Sequence, residues 1–287
     1  MGWHGRLELD HRLEATPRAD DADRTTIGRA RHAGPLRVLR SLYPEGPRVC
    51  HQVLVHPPGG IAGGDELELS LRLAPGSHAL VTTPGATRFY RSDGAVASQT
   101  LDARVADGAR LEWLPLETLV HDGARAHNRL RFALAEGAEM IGWDLLALGL
   151  PASGLAFERG RFEQRIEVDE AWLERSLVDF DAPQAAATRR RLASPLGWGG
   201  HAVLATLWFA SGRAIDDARR ERLLEAARTA LPPDAPAGTT APNPHVVVAR
   251  ALAARVEPLM QHARAVWSAW REAAWRMSAS APRVWRT

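Results

Sequence analysis

Strict alternation of apolar and polar residues is the feature that most limits what this chain can fold into. From Glu66 to Leu73 every second residue is leucine, and the residues between them are charged or polar. Because successive side chains of a β-strand point to opposite faces, this pattern predicts a half-buried strand. The same alternation recurs at Leu101/Ala103/Val105, at Leu130/Phe132/Leu134 and at Phe162/Gln164/Ile166/Val168.

Three of these strands end in the same short turn sequence: an apolar residue, alanine, any residue, glycine and a small residue. A second apolar stretch follows each turn, and the turn glycines are 32 and then 29 residues apart. This near-constant period predicts stacked β-hairpins. The alternative is coincidence among common turn sequences in a chain with 24 glycines. The turns are Leu73–Ser77, Val105–Ala109 and Leu134–Ala138, with their glycines at Gly76, Gly108 and Gly137.

The last third of the chain changes to helical patterns. A stretch rich in Ala, Arg, Glu and Leu predicts a helix at about residues 216–231, and apolar residues at three- and four-residue steps predict another at about 258–277. Between them, five prolines in thirteen residues predict a loop over 232–244. The three valines that follow this segment are compatible with a short strand.

Length and composition indicate an ordinary globular protein. With 287 residues, 45% of them apolar, the chain is long enough to bury a large core. We expect a single domain over residues 1–287, with a β-rich body at about 1–210. The 36 basic residues, all arginine, exceed the 34 acidic ones by only two, so net charge indicates neither a nucleic-acid nor a membrane partner.

Cysteine use and hydropathy predict a cytoplasmic protein. Cys50 is the only cysteine, which excludes an intramolecular disulfide and is typical of a reducing compartment. The first ten residues lack the pattern of a signal peptide. The longest apolar run, Leu145–Leu150, has six residues, far fewer than the roughly 18 that a membrane-spanning helix needs.

The glycine-rich stretch Gly59–Gly64 has the glycine spacing of a phosphate-binding loop, but its chemistry is wrong. Asp65 and Glu66 stand where such a loop has Lys and Ser or Thr. A carboxylate there would repel phosphate, and a strand follows instead of a helix. Nucleotide binding at this stretch is therefore not expected.

Other catalytic motifs are also absent from the sequence. Cys50 could act as a nucleophile with His51 or His56 as its base, which keeps a cysteine-dependent hydrolase as an alternative. However, Cys50 lies in the apolar stretch Val49–Val55, where a buried, inert cysteine is favoured. From the residues alone we expect no enzyme.

Two carboxylates lie in segments that otherwise demand burial. Asp65 follows the glycine turn, and Asp144 interrupts the apolar run Met140–Leu148. A carboxylate in such a position needs a structural partner such as arginine, a water-filled cavity, or a transient cation. The residues alone leave these three possibilities open.

Three motifs resemble the UreD (UreH) family of urease accessory proteins: HPPGGIAGGDEL from His56, TTPGATRFYRS from Thr82 and LEWLPLET from Leu111. The resemblance continues through Trp143–Leu146, the Val246 segment and the last six residues, in order along nearly the whole chain. It implies a mainly β fold, a β-helix-like stack of strands or hairpins with two C-terminal α-helices.

The resemblance also implies a function. Members of this family are non-enzymatic chaperones that bind apo-urease, recruit UreF and, through it, the GTPase UreG, and help pass nickel to the urease active site. A dimer of UreD–UreF–UreG heterotrimers is the implied assembly. No tightly bound cofactor is implied, only transient Ni²⁺. A structural adaptor that never meets nickel is the alternative within this family.

Residues that match the family pattern imply a nickel tunnel lined by Asp65 and Asp144, and also by Thr87, Tyr90 and Glu174. Oxygen ligands hold Ni²⁺ less tightly than imidazole or thiolate, which suits a conduit. The chain departs from the family at Leu116, where glutamine is usual, and in the proline-rich segment between the predicted helices.

Overall fold

The computed structural model describes residues 2–15, 24–231 and 235–286. Two β-sheets pack face to face there, and helices cover the outer face of the second sheet. The first sheet contains β1 (His4–Ala15), β2 (Arg24–Ala33), β5 (Glu66–Leu73), β8 (Ala97–Val105), β11 (Arg125–Leu134), β13 (Arg161–Val168) and β14 (Trp172–Asp179). Their spatial order is β14-β13-β11-β8-β5-β1-β2.

The second sheet has the order β16-β17-β15-β12-β9-β6-β4-β3; outside this order, β10 pairs with β12, and β7 pairs with β10. Its strands are β3 (Arg37–Val38), β4 (Val49–Val55), β6 (His78–Thr82), β7 (Thr87–Phe89), β9 (Arg110–Leu114), β10 (Thr118–Val120), β12 (Glu139–Leu148), β15 (Val203–Ser211), β16 (Ala237–Asn243) and β17 (Val246–Ala253). The helices are α1 (Ala185–Ala193), α2 (Asp217–Ala230) and α3 (Val256–Trp275).

The predicted stack of strands is confirmed. Strands β5, β8 and β11 are parallel neighbours in the first sheet, and β6, β9 and β12 are parallel neighbours in the second. The turns between them lie directly above one another. The Gly76 amide donates to the Asp107 carbonyl at 3.1 Å, and the Ala135 amide donates to the Val105 carbonyl at 2.9 Å.

The two strands of each unit do not pair with each other as the strands of a hairpin would. They cross from one sheet to the other, so each unit is a β-arch. Each strand hydrogen-bonds to the equivalent strands of the neighbouring units. Neither of its edges is then free to pair with the other strand of its own unit. Folding over at the turn also brings the apolar faces of both strands together between the sheets.

The C-terminal helices are confirmed to within two residues at each end. The proline-rich loop prediction was wrong for residues 237–243, which form the edge strand β16. An edge strand tolerates Pro242 here because the register shifts between Thr240 and Asn243, so that Pro242 lies at an irregularity and not in the regular ladder. Residues 232–234 of that segment lie outside the described residues. Helix α1 was not predicted.

Aromatic side chains fill the layers on both faces of the second sheet. Between the sheets, Phe132 packs against Trp113 and Trp208, with ring centroids 6.5 and 5.7 Å apart. On the outer face, Trp143 packs against Trp267 of α3 and against Trp285, at 6.4 and 5.2 Å. Across the described ranges, helices that combine the length and apolar character needed to cross a bilayer are absent.

A buried polar network fixes α3 to the second sheet. Arg271 is fully buried and binds the Glu45 carboxylate through both terminal nitrogens. Glu112, also fully buried, accepts hydrogen bonds from the Trp267 indole and from His78, the latter at 2.7 Å. Burial alone would raise the pKa of Glu45, but hydrogen bonds from His51 and Arg271 hold it below its usual value. Glu45 therefore enters the network as a charged carboxylate.

Removing the cation from this network should be costly. We expect Arg271→Met to lower the free energy of unfolding by about 3–5 kcal/mol, because Glu45, whose side chain is only 10% exposed, would lose its cation. The matched control is Arg228→Met, which removes the cation of an exposed 3.1 Å pair with Glu221 on α2 and should cost less than about 1 kcal/mol. Urea denaturation of both variants measures the difference, and equal losses would contradict the assignment.

Candidate functional site

A row of side-chain amides interrupts the apolar layer between the two sheets. Gln99, Asn128 and Gln164 are register partners on β8, β11 and β13, and all face the second sheet. The Gln99 amide donates to Asn128 at 3.2 Å, and the Asn128 amide donates to Gln164 at 3.4 Å. Stacking in register thus places a polar ladder inside the core, one amide per strand.

Asp144 of β12 faces this ladder from the second sheet. It is only 5% exposed, and its carboxylate is hydrogen-bonded to Gln164. Burial raises the pKa of Asp144 to about 7; the hydrogen bond from Gln164 lowers it, and the charge of Glu174 raises it further. In the described structure no cationic side chain pairs with Asp144. The Asp–Arg pair considered from the sequence is therefore not formed.

Polar residues continue from Asp144 toward the edge of the sandwich. Thr206 on β15 is the register partner of Asp144, and Arg250 on β17 is the register partner of Thr206. Arg250 forms an ion pair with Glu174 on β14, which joins the edge strand of the first sheet to β17, the strand next to the edge of the second. Glu174 is therefore neutralised by an arginine, whereas Asp144 is not.

A cavity of about 200 Å³ extends from half-exposed loops to Asp144. That volume can accommodate several water molecules, since one needs roughly 10–15 Å³. The buried Nε2 of His56 and Nε1 of Trp113, in two of its wall residues, have no hydrogen-bond partner in the protein. Burial lowers the pKa of His56, although the charge of Asp65 opposes this. The polar wall residues include His56, Thr87, Gln99, Thr118, Asn128 and Asp144.

The structure brings some of the predicted tunnel residues together and separates others. Thr87 and Asp144 line the same cavity, and Glu174 lies close enough to Asp144 to affect its ionisation. Tyr90 does not line the cavity; its hydroxyl donates to the carbonyl of Gly59, a wall residue, at 3.4 Å. Tyr90 therefore supports the wall.

Asp65 has a structural task of its own. One carboxylate oxygen accepts the Trp3 amide at 2.7 Å, and the other accepts the Ala62 amide at 2.8 Å. These bonds fix the glycine loop at the start of β5, and Asp65 is not among the cavity wall residues. Its role as a nickel ligand stays a prediction.

The cysteine nucleophile considered from the sequence has no catalytic surroundings. Cys50 is fully buried, and burial raises the pKa of its thiol. Its neighbour His51 is bound to Glu45 at 2.7 Å. Clusters of three or more His, Cys, Asp or Glu side chains placed to hold a metal ion were not found within residues 2–15, 24–231 and 235–286. Among the described residues, the geometry therefore offers a buried carboxylate without a cationic partner, at a cavity whose wall is mostly apolar, and no preformed chelating site.

Sequence reasoning missed the amide ladder, although a signal was present. Each amide stands two residues before an inward-facing leucine or isoleucine of an alternating strand. Gln164 even falls on the apolar face that the alternation itself defines. A polar residue that recurs at the same inward-facing position of three parallel strands predicts such a ladder.

Comparison with known sequences decides the family. A family described as UreD urease accessory protein matches residues 4–286. The chain belongs to the UreD family. Relatives named urease accessory protein UreD include those of Methylibium petroleiphilum, Leptothrix cholodnii and Variovorax paradoxus, which are 64%, 53% and 52% identical to this chain. In all three cases the similarity covers the full length of both chains.

Membership in the UreD family confirms the resemblance found in the sequence motifs. The family and these relatives are described as accessory proteins of urease. The amide ladder and Asp144 are therefore to be interpreted as parts of a urease accessory protein.

The unpaired carboxylate should make stability depend on pH. Between its ordinary pKa of 3.8 and its folded pKa of about 7, the native state holds a proton that the unfolded chain releases. Stability from this group is thus complete below about pH 4 and is lost as pH rises to about 7.

Asp144→Asn removes this dependence. Relative to the unaltered protein, the variant should gain stability between about pH 5 and about pH 8, with a ceiling of about 3 kcal/mol, because about two pH units of the shift lie above pH 5. Urea denaturation at both pH values measures the gain, with Asp102→Asn on the exposed face of β8 as the control. Parallel pH profiles for the Asp144→Asn and unaltered proteins would contradict the assignment.

Proposed function

We propose that this protein is a non-enzymatic chaperone of urease maturation that passes nickel between its two sheets. The observation that carries the proposal is Asp144, a buried carboxylate that faces a row of neutral amides and a cavity, without a cationic partner among the described residues. A buried negative charge of this kind is stabilised by a passing cation. The family supplies the context of urease.

The potential metal ligands along the path suit the passage of Ni²⁺ better than its storage. Amide oxygens, hydroxyls and one carboxylate are oxygen ligands, which bind Ni²⁺ weakly compared with thiolate or several imidazoles. The cavity leads from the loops that carry His56 and Thr87 to Asp144. In the proposed path, Gln164 and Glu174 come next, because both act on the Asp144 carboxylate. Ni²⁺ here is cargo, and the protein needs no tightly bound cofactor.

The partners we propose are apo-urease, UreF and, through UreF, the GTPase UreG, which supplies the nickel in the cytoplasm. A dimer of UreD–UreF–UreG heterotrimers is the proposed assembly. The support for these partners is membership in the UreD family. A structural adaptor that only holds UreF on urease is the second candidate; it leaves the unpaired Asp144 without a purpose. The Cys50 hydrolase is not favoured, because the thiol is buried.

Co-expression with urease and its other accessory proteins tests the conduit. Asp144→Asn keeps the shape of the side chain and removes its charge, so we expect complexes with apo-urease to form normally, with and without UreF. Nickel per urease active site should fall roughly tenfold, the effect of losing about 1.4 kcal/mol of attraction for the cation. Asp102→Asn is again the matched control and should load nickel normally.

The two candidate functions give opposite outcomes in this experiment. A nickel content at the level of the unaltered protein, in complexes that still assemble, would eliminate the conduit through Asp144 and favour the adaptor. Loss of complexes with apo-urease would instead assign Asp144 to an assembly role.

A further inference from the structure

A salt bridge lies at the edge of the sandwich nearest to Asp144. Glu174 belongs to β14, the edge strand of the first sheet, and Arg250 belongs to β17 of the second sheet. The Arg250 side chain is 38% exposed and that of Glu174 is 22% exposed, whereas Asp144 is 5% exposed. The charge of Glu174 also acts on Asp144, so the pair lies near the buried carboxylate and is more exposed than it.

The same edge is held together without the salt bridge. The Asn243 side chain donates a hydrogen bond to the Ala171 carbonyl, which ties β16 to the turn before β14. Trp172 packs against Trp208, with ring centroids 5.9 Å apart. Partly exposed ion pairs contribute little to stability. These contacts therefore join the two sheets at this edge without the Arg250–Glu174 ion pair.

We propose that Arg250 is a tethered cation that occupies Glu174 at rest and leaves it when a divalent metal ion arrives from Asp144. The salt bridge is then a gate at this edge of the path. This inference rests on the proposed function, because a gate has no meaning without a conduit.

Charge explains why the gate opens only for metal. A guanidinium is charged at every physiological pH, so Arg250 neutralises Glu174 permanently while it is bound. Arg250 and a divalent cation repel each other and cannot share one carboxylate at low cost. Because more than a third of the Arg250 side chain already reaches solvent, it can turn outward when displaced.

Nickel binding to the isolated full-length chain tests the gate. Arg250→Met removes the competing cation and keeps much of the side-chain volume, so Kd for nickel chloride in equilibrium dialysis should fall roughly tenfold. Adding Glu174→Gln to this variant should abolish the gain, because the freed carboxylate is its source. The control is Arg175→Met, which removes the cation of an exposed pair with Glu163 from the neighbouring position of β14. It should leave Kd unchanged.

Each outcome separates the gate from the conduit. An unchanged Kd in Arg250→Met, with weaker binding in Asp144→Asn, would overturn the gate and leave the conduit standing. A lower melting temperature without a change in Kd would identify a structural clamp and also overturn the gate. Normal binding in both Asp144→Asn and Glu174→Gln would remove the conduit and the gate together. If Arg250→Met does not fold, the same Kd measurement is made on Arg250→Gln, for which the same fall in Kd is expected.

Discussion

Parallel stacking in register is the constraint on which the rest of this structure depends. Because each arch hydrogen-bonds to equivalent positions of the next, a residue type placed once per unit becomes a row through the interior. Leucines at such positions give the apolar layer between the sheets. Amides at one position, Gln99, Asn128 and Gln164, give a polar row within it, and each satisfies its neighbour.

The amide row explains how the core accommodates Asp144. A buried carboxylate in purely apolar surroundings would be protonated or would destabilise the fold by several kcal/mol. Here Gln164 partly compensates the burial, so the pKa stays near neutrality and does not rise beyond it. Polar networks in protein cores are stable when their members hydrogen-bond to one another. On the other face of β12, the helices that cover the second sheet exclude water.

Period-2 alternation and the repeated turn were enough to predict the stacked strands, because both depend on local geometry. They could not show whether the two strands of a unit pair with each other, since the alternation is the same in a hairpin and in an arch. Strand β16 was hidden by Pro242, which is tolerated only at an edge, and edges are set by the whole topology. The sequence shows that a carboxylate at Asp144 is unusual within an apolar run. It does not show which residues surround that carboxylate, because Gln164 and Glu174 lie on other strands.

Asp65 and Asp144 show why burial alone does not identify a functional carboxylate. Both interrupt segments that demand burial, and both are 5% exposed. Asp65 accepts two backbone amides, one on each oxygen, so that its charge is consumed in holding the glycine loop to the N-terminal segment. Asp144 has one neutral partner and a negative neighbour, so its charge is not balanced by any of the described residues. The deciding property is the unsatisfied charge, and it depends on which strands the stack places opposite each carboxylate.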